Sequence, residues 1–125
     1  MKVAVYTIAL NEDKHVARWY ESSAEADYHL IADTGSTDDT VKIATELGIN
    51  VIHVRSVPFR FDDARNASLM ALPDDIDYCV ALDMDEVMRP GWRNELEKAL
   101  AEGITRPQYR FITDWNPDGS PAVEF

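Results

Sequence analysis

The sequence predicts an α/β chain: a mostly parallel sheet flanked by helices, with an antiparallel hairpin at the C-terminal end. Three observations carry this. Apolar, β-prone runs alternate four times with segments of helical pattern. The first and longest run is continuously apolar, as in strands covered on both faces. Near residue 105 the alternation stops, and two short strand-like stretches flank Asn116-Pro117-Asp118-Gly119, a turn sequence.

Val3 to Leu10 forms the first run. Asn11 is placed to cap a following helix, with Glu12 and Asp13 in its first turn and Val16, Trp19, Tyr20 and Ser23 on one face. Tyr28 to Ala32 is the second strand. Asp33-Thr34-Gly35-Ser36 then turns, and Ser36 or Thr37 caps a helix with Val41, Ala44 and Leu47 inward, ended by Gly48. Val51 to Val54 is the third strand. After Pro58, a helix from about Asp62 to Leu72 shows the small residues Ala64, Ala67, Ser68 and Ala71 on one face, suited to close packing on a sheet. Tyr78 to Leu82 is the fourth strand, and Pro90 opens a helix carrying Trp92, Leu96, Ala99 and Leu100 and closed by Gly103. Gln108 to Thr113 and Ala122 to Phe125 supply the hairpin.

A length of 125 residues suits a single domain, and 46% hydrophobic with 28% charged residues is ordinary for a soluble globular chain. The net charge of -11 argues against nucleic acid or an anionic membrane as partner, because both need a basic footprint. Phosphate stays open, since it needs only a local cation. Lys2 precedes an apolar run too short for a signal peptide, and no run is long enough to insert in a membrane. The lone cysteine, Cys79, reads as a small buried hydrophobe, so there is no disulfide framework and a cytoplasmic location is expected.

In open α/β sheets ligands bind outside the carboxyl ends of the strands, near the switch in strand order. Two Asp-x-Asp triplets occur, Asp75-Ile76-Asp77 and Asp83-Met84-Asp85, and a chain with fourteen Asp contains about one or two by chance. Position separates them. The first enters the fourth strand; the second leaves it at the carboxyl end. If the chain stays extended through residue 85, Asp83 and Asp85 point one way and Met84 turns inward. Two neighbouring carboxylates repel, and an all-oxygen pair suits a hard cation such as Mg²⁺ or Mn²⁺ whose shell is completed by substrate phosphates. The plainer reading is an exposed acidic turn.

Asp33 closes an apolar strand and can accept hydrogen bonds from a base or ribose, while the rest of its turn serves the next helix. Arg65 has forked donors suited to phosphate or a base edge, unless Asp62 or Asp63 pairs with it. His15, His29 and His53 lack ligand spacing, and Ser36 has no histidine placed to activate it.

Four segments together, Ile8-Ala9-Leu10-Asn11-Glu12, Asp33-Thr34-Gly35-Ser36-Thr37-Asp38-Asp39-Thr40, Ala64-Arg65-Asn66 and Leu82-Asp83-Met84-Asp85-Glu86, resemble in order and spacing the nucleotide-sugar half of family 2 glycosyltransferases. The resemblance spans roughly residues 2 to 105 and implies the Rossmann-like GT-A fold. It implies a nucleotide-sugar donor, usually UDP-linked, held by Ala9, Leu10, Glu12, Asp33, Ser36, Arg65 and Asp83. Asp83 and Asp85 would hold Mn²⁺ or Mg²⁺, and hexosyl transfer to a saccharide, lipid-linked glycan or protein would proceed with inversion. Ile8 and Ala9 depart from the Pro and Thr frequent in the family, and Thr34 from a frequent second Asp.

Family members place the catalytic base beyond the donor half, so it is expected past Phe125, and the chain is expected to be one donor-binding domain of a longer enzyme. Two alternatives remain: a non-catalytic nucleotide-binding or assembly module, and a haloacid-dehalogenase-type phosphatase with Asp83 as nucleophile. An exposed strand at the C-terminal end would favour pairing with a second copy, hence a homo-oligomer.

Overall fold

In a computed structural model, residues 1–55 and 63–103 are described in full, residues 61, 62, 112–115 and 121–124 by their backbone alone. The chain divides into two compact units, Met1–Trp92 and Arg93–Phe125.

The first unit is a four-stranded, all-parallel sheet: β1 (Val3–Ala9), β2 (Tyr28–Asp33), β3 (Asn50–His53) and β4 (Tyr78–Ala81), in the order β3-β2-β1-β4. Between them run α1 (Val16–Ser22), α2 (Thr40–Glu46) and α3 (Phe61–Met70). β1 and β2, the central pair, are buried almost throughout, which is why their sequences are continuous rather than alternating.

Register assigns the faces. Ala4 and Tyr6 share one face with Leu30 and pack with Leu72. On this side α3 lies against β1 and β2 through Ala64 and Ser68, both fully buried. The opposite face carries Val3, Val5, His29 and Ile31, and Trp19 of α1 meets the His29 ring edge-on at 5.8 Å. Burying side chains of this size stabilises by about 1.5–3 kcal/mol each. His29 Nε2 bonds the Ser23 carbonyl at 2.8 Å, and burial pushes its pKa down.

Three expectations about local structure change. Asn11 caps no helix: it sits at φ 53°, in the left-handed region that Asn tolerates, and α1 begins only at Val16. Ser36 and Thr37 do not cap α2. That helix starts at Thr40, whose N–H donates to Asp38 Oδ1 at 2.9 Å. Cys79 is exposed rather than buried, because β4 is the edge strand of the sheet and has a sheet neighbour on one side only.

α4 (Trp92–Ala101), all but its first residue in the second unit, starts two residues after Pro90, and Gly103 follows its end at φ 85°. β5 (Ile112–Trp115) and β6 (Pro121–Glu124) pair antiparallel, the anticipated hairpin. The turn expected at residues 116–119, and the first part of the strand expected from Gln108, lie outside the described residues. Among the described residues no helix is long and apolar enough to cross a membrane.

Candidate functional site

The strand order reverses between β1 and β4: β2 and β3 are laid down on one side of β1, β4 on the other. At the carboxyl ends of these two strands lies a cleft of about 290 Å³, lined by Tyr6, Thr7, Ile8, Glu12, Arg65, Ala81, Asp83, Met84 and Asp85. This is where α/β topology places ligands, because strands diverging in opposite directions leave a crevice between their loops.

Asp83 and Asp85 reach the cleft by a different local geometry from the one expected. The chain is not extended through residue 85. Leu82 N–H still bonds the Tyr6 carbonyl, but residues 83–86 form a turn closed by Glu86 N–H to Asp83 O at 2.9 Å and by Asp83 N–H to Glu86 Oε1 at 2.8 Å. The side chains nonetheless alternate: Met84 is buried, while Asp83 and Asp85 are exposed to the same cleft. Burial raises the Glu86 pKa, and the negative charges of Asp83 and Asp85 push the same way, against the hydrogen bond from Asp83 N–H.

Glu12 is set by a lattice between the β1 and β2 loops. Its N–H donates to Thr40 Oγ1 at 2.9 Å, and that hydroxyl donates to Asp38. Asn11 Oδ1 accepts from Thr37 N–H at 2.7 Å and Asp38 N–H at 3.3 Å, while Asn11 N–H donates to Ser36 Oγ at 2.9 Å. Burial raises the Asp38 pKa, but hydrogen bonds from Thr40 and Asp13 outweigh it and leave the carboxyl below its usual range. Sequence reading missed Asn11 as the keystone here. The available signal was its residue type, which after Gly is among the most tolerant of positive φ.

Arg65 enters from α3, on the Tyr6 face of the sheet. Among the described residues neither Asp63 nor any other carboxylate holds its guanidinium in an ion pair; burial raises the Tyr6 pKa, and the Arg65 charge opposes that rise without overcoming it.

Asp33 and Ser36 do not line this cleft. They belong to a second cavity of about 530 Å³ with Gly35, Val41, His53, Val54 and Arg55. Asp33 is buried, and its carboxylate accepts Gly35 N–H at 3.1 Å, Ser36 N–H at 3.0 Å and the Ser36 hydroxyl. Three of its roughly four acceptor positions are thus filled by its own turn. Gly35, at φ 119°, permits that turn. The Ala9 carbonyl takes the Thr34 N–H at 3.0 Å, and Leu10 is exposed beside it.

The donor set of the acidic turn fits a divalent cation: hard oxygens only, two carboxylates on one cleft, and no cation paired with either among the described residues. No group of three or more His, Cys, Asp or Glu among those residues forms a fuller cage. Two carboxylates leave the other positions of a six-coordinate ion to water or ligand oxygens.

The structure is similar to glucosyl-3-phosphoglycerate synthase from Mycobacterium tuberculosis, solved with Mn²⁺, UDP-glucose and phosphoglyceric acid: 28% identity, TM-score 0.66, covering 82% of this chain and 40% of that one. The complex of the same synthase with Mn²⁺, UDP and glucosyl-3-phosphoglycerate matches at 28% identity and TM-score 0.64, over 79% and 39% of the two chains. TarS residues 1–349 from S. aureus, in complex with UDP, shares the fold at 19% identity and TM-score 0.65, over 82% and 32%. The chain therefore spans about two fifths of the synthase's length and a third of the TarS chain's. No curated protein sequence matches it. The family model described as glycosyl transferase family 2 matches residues 4–110, from β1 past α4, and on that match the chain belongs to glycosyl transferase family 2.

Proposed function

We propose that this chain is the donor-binding domain of an inverting glycosyltransferase, holding a UDP-linked sugar in the cleft between the β1 and β4 ends. The observation that carries the reading is the meeting of Glu12, Arg65, Asp83 and Asp85, from three separate segments, in one crevice at the strand-order switch. The UDP complexes of the synthase support the choice of nucleotide. The phosphatase reading of Asp83 falls with the family assignment.

Asp83 and Asp85 would hold Mn²⁺ or Mg²⁺, which supplies Lewis-acid stabilisation of the charge on a departing diphosphate. Arg65 offers forked donors to a phosphate or a base edge and carries charge the acidic turn lacks. Glu12, fixed through Thr40 and Asn11, accepts hydrogen bonds from sugar or ribose hydroxyls. Asp33 keeps one acceptor position for the base, and Ala9, Leu10 and Ser36 offer further contacts to the donor. None of the residues matched to the family pattern serves as the catalytic base, and the role of this domain in the reading is to bind the donor.

Calorimetric titration with UDP tests the reading. UDP is expected to bind with Mn²⁺ and not to bind measurably once Asp85→Asn removes one ligand. Equal heats with and without metal, unchanged by the substitution, would overturn it.

A further inference from the structure

Helix α1 grips the main chain on both sides of the acidic turn. Trp19 is fully buried, and its indole Nε1 donates to the Leu82 carbonyl, immediately before Asp83, at 2.8 Å. One residue earlier on the helix, exposed Arg18 sends Nη2 to the Asp85 carbonyl at 3.3 Å. The two bonds bracket Asp83 and Met84. β4 cannot do this itself, because its last bond to β1 is Leu82 N–H to Tyr6 O. Beyond that point the turn is placed by α1 and by the buried Leu82 and Met84 side chains.

The choice of atoms matters chemically. Asp83 and Asp85 carry like charges with Glu12 and Glu86 close by, so repulsion splays an untethered turn. A guanidinium placed on either carboxylate would quench the charge and occupy its lone pairs. Placed on the Asp85 carbonyl, it restrains the chain and leaves both carboxylates open. The same Nη2 lies 3.0 Å from His15 Nδ1, and His15 Nε2 lies 3.8 Å from Glu12 Oε2, which ties the Glu12 loop to the same brace.

We propose that Trp19 and Arg18 are positioning residues that preform the acidic turn for a metal-bound diphosphate. The inference rests on the donor-site reading above and adds to it the device that sets the turn. Two readouts test it together. Trp19→Phe keeps a ring in the core and deletes one donor; amide exchange at Glu86 is expected to accelerate about tenfold while the β1–β2 amides stay unchanged. UDP affinity in the presence of Mn²⁺ is expected to fall about tenfold, with metal-free UDP affinity unaltered. Arg18→Ala, at an exposed site, is expected to shift both readouts about threefold the same way, and it decides the matter if Trp19→Phe does not fold. Wild-type exchange in these variants, or faster exchange with unaltered affinity, overturns the inference while Asp85→Asn still loses binding. A wild-type chain that binds no UDP with Mn²⁺ removes the donor reading, and this inference with it.

Discussion

β4 has an Asp-x-Asp triplet at each end, and the chain treats them in opposite ways. At the entering end, Asp75 makes an ion pair with the Lys2 ammonium, and Asp77 accepts the Lys2 backbone N–H at 2.8 Å. At the leaving end, the carboxylates of Asp83 and Asp85 meet no cation among the described residues, and the nearby Arg18 bonds a carbonyl instead. One triplet meets a cation within the fold, since Lys2, the residue before β1, lies beside it. The other is left with charge to be matched from outside. Identical spelling thus separates into a structural pair and a candidate ligand pair by strand direction alone.

The largest effect that could break this contrast is on binding. Asp85→Asn is expected to weaken UDP binding with Mn²⁺ by about a hundredfold or more, and Asp75→Asn to leave it within about twofold, both read by calorimetry. Comparable losses from the two substitutions would mean that the ends of β4 do not differ in role.

A smaller effect sharpens the leaving end. Asn11→Ala removes the acceptor shared by Thr37 and Asp38 and places alanine at φ 53°. Denaturant unfolding is expected to show a loss of about 1–3 kcal/mol. Asn11→Gly relieves the backbone conformation without restoring the acceptor, so it should recover only part of that loss. Full recovery would assign the whole effect to backbone strain.

The smallest effect belongs to the entering end and is a matter of pH. The hydrogen bond and charge of Lys2 hold the Asp75 carboxyl below its ordinary range. A carboxyl with a depressed folded pKa contributes stability above its unfolded value of 3.8 and loses it as pH falls through the lower folded value. Lys2→Met should therefore flatten the stability profile slightly below pH 4, with UDP binding at neutral pH untouched. A change in binding instead would couple the two ends of β4.

Much of this was legible in the residues. The runs Val3 to Ala9 and Tyr28 to Ala32, apolar but for Thr7 and His29, identify central parallel strands, because burial on both faces leaves little room for polar residues. Gly48 and Gly103 mark helix ends through a conformation few other residues adopt. The site residues that converge, Glu12, Arg65, Asp83 and Asp85, follow strand ends or lie on the small-faced helix, so a correct order of elements nearly places them. Asn11 was misread because a capping residue and a left-handed residue have the same composition. Its partners, Thr37 and Asp38, are some 26 positions away. Asp33 was legible as a strand-end carboxylate, but its capture by Gly35 and Ser36 depends on a turn whose dihedral angles the sequence only permits.

By itself, then, the sequence determined the α/β alternation, the carboxyl-end placement of the acidic turn and the family pattern, because hydrophobic period, glycine positions and motif order are local properties of the chain. Tertiary structure alone decided that β4 lies beside β1, that Asp33 faces a different cavity from Arg65, and that Trp19 and Arg18 hold the carbonyls around Asp83 and Asp85. Those contacts join residues tens of positions apart through single directed hydrogen bonds. Their formation depends on angstrom-scale packing, to which composition and periodicity are blind.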